Sequence, residues 1–147
     1  IVVALHFMKV LDLSTGAWAG YVGAVIAILG AVFLAADKGA LCLTMSAFDT
    51  LSENGFNQIM PAVMAMFTKK GWLKLLWGIL LLPIGFTIQA IALLTTHTLA
   101  PWQSILFMVG ALLVGTPDGL EIINLSASIM MAISLVPYGI QIITTAL

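Results

Sequence analysis

Three polar residues in the C-terminal part of the chain have side-chain types and a spacing that could support ion or proton transfer. Glu121, Asn124 and Ser128 are three and four positions apart, which places them along one face of a helix. A carboxylate, an amide and a hydroxyl in such a row could coordinate a cation or pass a proton across a membrane. The structural alternative is that Glu121 forms a capping box with Asp118, while the amide and the hydroxyl bond to neighbouring helices.

A fourth polar residue, Gln89, lies inside the longest apolar run of the chain. This run covers residues 72–94 and contains one charged residue, Lys74. An amide that faces hydrocarbon costs free energy, so Gln89 is expected to hydrogen-bond to another helix. The alternative is that its amide helps the three residues above to line a path for a solute.

The other ionisable residues favour ordinary roles over catalysis. Asp37 stands beside Lys38 at the end of an apolar run and is expected to anchor that run at the membrane interface. His6 and His97 could ligate haem in principle, but His6 is near a chain end and His97 is in a polar turn. Haem held between two spans usually needs histidines within facing helices. The sequence contains no catalytic, metal-binding or phosphate-binding motif, so we expect no enzymatic activity and no cofactor or metal.

The composition indicates the class of protein and excludes several others. Hydrophobic residues make up 62% of the 147 residues and charged residues 7%, and the mean hydropathy is +1.17. Soluble domains are about 25% charged, and a chain this short has no core large enough to bury so much apolar surface. All five basic residues are lysines, and the net charge is −1. A nucleic-acid partner is therefore excluded, and the lipid bilayer is the expected surrounding.

The elements that would position these residues are membrane-spanning helices. We predict an all-α, polytopic integral membrane helical bundle that forms one domain over residues 1–147. Four full spans are predicted, at residues 17–36, 72–94, 101–116 and 120–143. Residues 1–13 are interpreted as the end of an incomplete helix. Residues 39–68 contain two acids and an Asn-Gly turn signal, so they are interpreted as an amphipathic interfacial or re-entrant connector, with a fifth span as the alternative.

Small residues at helical spacing predict close helix–helix contacts. Helices in lipid associate through close packing, which small side chains permit. The contact within this chain, or between copies, is predicted to involve one set of eight residues: Gly16, Gly20, Gly23, Ala27, Ala31, Ala35, Gly78 and Gly85.

Two functions remain open at the level of sequence. The first is a non-catalytic structural or accessory subunit, which packs against other membrane proteins or against itself. The second is a small-solute or ion transporter or channel with a polar path along the last span. Lysines gather around residues 69 and 70, so the positive-inside rule predicts that this loop of the multi-pass protein is cytoplasmic.

Overall fold

The described part of the chain is all-α. The computed structural model describes residues 1–68, 70–114 and 121–146, and within these ranges it contains no strand. The helices are α1 (Val2–Leu11), α2 (Ala17–Phe48), α3 (Glu53–Thr68), α4 (Lys70–Thr95), α5 (Pro101–Val114) and α6 (Glu121–Ala146). Helices α2, α4, α5 and α6 contact one another in that order, and α1 packs against both α2 and α4.

The prediction of an all-α bundle is confirmed, and three of its helices are compatible with a membrane protein. Three stretches are long and apolar enough to cross a membrane, namely Ala17–Phe48, Gly78–Thr95 and Ile122–Thr145. The predicted count of four full spans is not confirmed, because α5 has 14 residues and is about 21 Å long, short of the roughly 30 Å of a bilayer core. Residues 115–120, which include parts of the predicted third and fourth spans and the cap residue Asp118, lie outside the described residues.

Helix α2 is longer than the sequence predicts. The predicted span ended at Ala36, whereas the helix continues through Asp37 and Gly39 to Phe48 and has 32 residues. A charged pair does not stop a helix, and one glycine in a helix interior costs only about 1 kcal/mol relative to alanine. The chain instead turns at Ser52, whose hydroxyl accepts a hydrogen bond from the Gly55 N–H at 3.3 Å near the start of α3.

Helices α2 and α4 run antiparallel and touch along a seam of glycines. A methyl group placed on Gly78 would lie 2.6 Å from the backbone nitrogen of Leu34. One placed on Gly85 would overlap the backbone nitrogen of Ala27 and lie 2.6 Å from the carbonyl oxygen of Gly23. Because backbone faces backbone here, a side chain at either α4 glycine would force the two helices apart.

The small-residue ladder proposed for α2 follows this seam for part of its length. Gly23 and Ala27 are buried, Ala31 is half-buried and Ala35 is exposed. Gly30, which the predicted set did not include, lies in the seam against the backbone of α4. A step of four residues advances about 400° around a helix, so a ladder with that spacing turns away from a straight contact by about 40° per step.

Helix α1 packs against both α2 and α4 beside this seam. Ala4, Phe7 and Leu11 are buried, and the close approach of α1 depends on Gly20, where an added methyl would lie 3.0 Å from the Cβ of Leu11. Gly16 permits a close contact between the start of α2 and the end of α4, since an added methyl there would lie 3.0 Å from Cγ2 of Thr96.

An aromatic cluster joins α1, α4 and α5. The ring of Phe107 in α5 lies edge-on to Phe7 at 5.5 Å and to Phe86 at 5.3 Å between centroids. Edge-to-face pairs at this separation add about 0.5–1.5 kcal/mol each beyond the burial of their area. The cluster therefore fixes α5 against the seam, and α5 in turn carries α6.

Candidate functional site: polar groups among apolar helices

The polar residues proposed to line a path lie in separate parts of the bundle. Ser128 is exposed on α6, and its hydroxyl donates to the carbonyl oxygen of Asn124 at 2.9 Å. Asn124 is half-buried, and Glu121 is the first residue of α6, with a side chain outside the described part. Gln89 is buried between α1, α2 and α4, so the structure does not bring it together with Ser128.

Gln89 connects three helices through one amide group. It is 0% exposed, and its Nε2 donates to the carbonyl oxygen of Ala4 at 2.9 Å and to that of Gly20 at 3.2 Å. Room for the side chain comes from Gly23, where an added methyl would lie 2.7 Å from Cγ of Gln89. The Oε1 atom has no hydrogen-bond partner among the described residues. The amide thus holds α1 and α2 against α4 and keeps one unused acceptor.

Replacement of Gln89 by leucine is expected to destabilise the bundle by about 1–2 kcal/mol, because the interhelical hydrogen bonds are lost while the volume is kept. The measurement is the unfolding midpoint in detergent. The matched control is Gln141→Leu, since Gln141 is an exposed glutamine of α6 and its loss should leave the midpoint unchanged. Equal midpoints for both variants would contradict a structural role of the Gln89 amide.

A second pair of polar residues joins α5 to α6. The Ser134 hydroxyl donates to the carbonyl oxygen of Gln103 at 2.7 Å, and Nε2 of Gln103 donates to the carbonyl oxygen of Ser134 at 3.2 Å. The remaining oxygen of the Gln103 amide accepts from the Ala100 N–H at 3.2 Å, at the start of α5. Both polar side chains are therefore used in holding helices together.

Asp37 is the charged residue among the buried polar groups of the described part of the chain. It is 1% exposed, and neither carboxylate oxygen accepts a hydrogen bond from any residue that the structure describes. A buried carboxylate without a partner costs several kcal/mol, and an ionisable residue inside apolar helices is a functional candidate by default. The sequence predicts that Asp37 anchors its helix at the membrane interface, and the structure adds that its side chain is buried between helices.

His6 and Tyr138 form a polar contact between the first and last helices. Nε2 of His6 lies 3.3 Å from the Tyr138 hydroxyl oxygen, within hydrogen-bonding distance, and the two rings meet edge-on at 5.8 Å between centroids. The two residues are 132 positions apart in the sequence, and both border an apolar groove on the surface.

No family model matches this chain, and neither does any curated protein or solved structure. Its function must therefore be argued from its own geometry. Over the described ranges, no three histidine, cysteine, aspartate or glutamate residues come together in a group that could hold a metal ion. The single cysteine, Cys42, is exposed.

The burial of Asp37 and the contact between His6 and Tyr138 are not among the predictions made from the sequence. Only the burial of Asp37 has a signal there. Gly16, Gly23, Gly30 and Asp37 are each seven positions apart, so the carboxylate follows the glycine stripe that contacts α4. That spacing predicts burial for Asp37. Nothing local pairs His6 with Tyr138, because their contact depends on the tertiary packing of α1 against the rest.

Proposed function

We propose that this protein is a non-catalytic subunit of a membrane assembly and that the exposed face of α6 is its docking surface. The same proposal includes two finer points of topology. Helix α5 forms a fourth span, and the chain around Lys70, at the start of α4, lies on the cytoplasmic side. The observation that carries the proposal is the low burial of α6. Only 11% of its most apolar stretch is buried, against 44% for Gly78–Thr95.

The side chains on this face of α6 are large and aliphatic. Leu125, Ile129, Ile133 and Val136 are 49–62% exposed and recur at steps of three and four residues. Such spacing produces a continuous stripe along a helix, the geometry used for left-handed packing between membrane helices. A partner helix from another subunit or from a second copy would cover this stripe.

The use of the internal polar groups supports a structural role. Gln89, Gln103 and Ser134 bond across helix contacts, and the exposed Ser126 and Ser128 donate to carbonyl oxygens of their own helix. Gln89, Gln103 and Ser134 thus stabilise contacts between helices, and the two serines satisfy their hydroxyls within α6, as we expect for a structural subunit.

The docking surface is tested by photo-crosslinking in native membranes. A p-benzoylphenylalanine placed at position 129 of α6 is expected to give an adduct with a second polypeptide, because a partner helix would lie within contact distance. The matched control is position 32 of α2, where Val32 is 52% exposed and comparable to Ile129 at 49%. Mass spectrometry identifies the adduct. Adducts with lipid alone at position 129, or the same polypeptide adduct at both positions, would contradict the proposal.

A small-ion transporter is the second candidate, and the buried carboxylate of Asp37 favours it. Transport across apolar helices needs an ionisable group that can exchange a proton or cation inside the protein. Asp37 has an ionisable carboxylate, and it is buried. The path along Glu121, Asn124 and Ser128 has less support, since Ser128 is exposed and bonded within α6. Flux through proteoliposomes distinguishes the two candidates.

A further inference from the structure

Exposed aromatic residues lie at one end of the bundle, beside the turns that join α1 to α2 and α4 to α5. Trp18 is the second residue of α2 and is 75% exposed, and Trp102 is the second residue of α5 and is 53% exposed. The two turns lie at the same end, because a methyl added at Gly16 would lie 3.0 Å from Cγ2 of Thr96. Two helices that start at this end therefore carry an exposed indole at the same position.

Tyr21 adds a third exposed ring, about one turn farther along α2. Its hydroxyl donates to the carboxylate of Asp12 at 2.6 Å, and Asp12 lies in the turn before α2. The polar tip of the ring is thus bonded to the charged turn at this end of the bundle. Tyrosine and tryptophan combine an apolar ring with one polar atom, and they are enriched where the hydrocarbon of a membrane meets its headgroups.

The exposed side chains change in the same order along α2 and α5. Polar residues come first, with Asp12 and Thr15 in the turn before α2 and His97 in the turn before α5. The two indoles follow. Exposed aliphatic side chains come next, namely Val25, Leu29 and Val32 on α2 and Ile105 and Leu112 on α5. Water, headgroups and hydrocarbon follow one another in this order in a bilayer, so lipid accounts for the same sequence of layers on two separate helices.

The charges of α2 indicate where the opposite boundary of the hydrocarbon lies. No charged residue occurs between Trp18 and Asp37, and Lys38 follows directly. The 20 residues from Trp18 to Lys38 rise about 30 Å along a helix, which is about the thickness of a bilayer core. The aromatic end and the charged pair are therefore one hydrocarbon thickness apart.

We propose that Trp18, Tyr21 and Trp102 bind the headgroup layer of a lipid bilayer and so fix the depth of the bundle, with hydrocarbon around α2 from Trp18 to Lys38. The indole N–H groups donate to headgroup oxygens, while the rings contact the first carbons of the acyl chains. The exposed Cys42 then lies outside the hydrocarbon. This assignment rests on the membrane location proposed above, and it does not depend on the docking surface of α6.

The depth is measured by electron paramagnetic resonance of spin labels on single cysteines, with the protein in phosphatidylcholine vesicles. The labelled positions are the native Cys42, which is the one cysteine of the sequence, and Thr15→Cys or Leu29→Cys in a Cys42→Ser protein. All three positions are exposed. Oxygen concentrates in hydrocarbon and should relax the label at position 29 most. A water-soluble nickel complex should relax the labels at positions 15 and 42 instead.

Replacement of both indoles by leucine tests what holds the bundle at this depth. Leucine prefers hydrocarbon to headgroups, so in Trp18→Leu with Trp102→Leu the aromatic end should move about 3–5 Å deeper, the rise of two or three residues. The label at position 15 should then be relaxed less by nickel. Trp18→Tyr with Trp102→Tyr should keep the original depth, because tyrosine also has a polar tip. The matched control is Val25→Leu with Ile105→Leu, which changes exposed aliphatic residues of the same helices and should leave the depth unchanged.

Three results would overturn the proposal. The first is a label at position 15 or 42 that lies as deep as the label at position 29, and the second is an unchanged depth when both indoles are replaced by leucine. The third is a polypeptide adduct from p-benzoylphenylalanine at position 102 in native membranes, since it would place a protein on the aromatic end. The docking surface of α6 can fail independently, because its test measures adducts at position 129.

Discussion

Replacement of Gly85 by alanine is expected to destabilise the bundle by about 2–3 kcal/mol, and replacement by leucine is expected to prevent folding. A single methyl group at this position would overlap the backbone nitrogen of Ala27. A flexible side chain can move away from such a contact, but the backbone of a packed helix cannot. Helices α2 and α4 would therefore have to separate, and the contacts of Gln89 with α1 and α2 would be lost with them.

The matched control for Gly85→Ala is Gly39→Ala. An added Cβ at Gly39 meets nothing within 4 Å, so alanine there should leave the stability unchanged or raise it by about 0.5–1 kcal/mol through helix propensity. Unfolding midpoints in the same detergent measure both variants. A Gly85→Ala protein as stable as Gly39→Ala would show that α2 and α4 do not touch along the glycine seam.

Replacement of Asp37 by leucine is expected to stabilise the folded protein by about 1–3 kcal/mol, because it removes a buried polar group without a described partner. Asp37→Asn should give a smaller gain, since it removes the charge but keeps an amide to satisfy. Asp49→Asn is the control: Asp49 is exposed at the end of α2, and its substitution should change the stability by less than about 0.5 kcal/mol.

The same Asp37 variants separate the two proposed functions. For a structural subunit, Asp37→Asn is more stable and still forms the crosslink from position 129. For a transporter, Asp37→Asn is more stable but loses ion flux in proteoliposomes, because the exchangeable group is gone. A loss of stability in both Asp37→Leu and Asp37→Asn would contradict the unpaired state of this carboxylate.

Hydropathy and small-residue spacing predict the helical class and much of the α2–α4 contact. The seven-residue repeat of Gly78 and Gly85 is present in the sequence and coincides with the observed seam. The position of the α2 end could not be predicted, because Asp37 and Gly39 reduce hydropathy without breaking the backbone hydrogen bonds of a helix. Hydropathy measures transfer to hydrocarbon, whereas the end of a helix depends on the turn chemistry at Ser52.

The contacts of the candidate site residues could likewise be predicted only in part from the sequence. The interhelical contact of Gln89 follows from the cost of an unpaired amide among apolar residues, and that reasoning needs no knowledge of the partner. Its acceptors, Ala4 and Gly20, depend on how three helices cross, which a one-dimensional pattern does not specify. The same limit applies to His6 and Tyr138, which come together only after α1 and α6 are placed on the bundle.

The length of α2 has a consequence for how the protein is seated in a bilayer. Its 32 residues extend about 48 Å, whereas the hydrocarbon layer is about 30 Å thick. Tilt alone would need an angle of about 50°, beyond the roughly 40° at which membrane helices are found. In a bilayer that α2 crosses, part of this helix would therefore extend beyond the hydrocarbon layer.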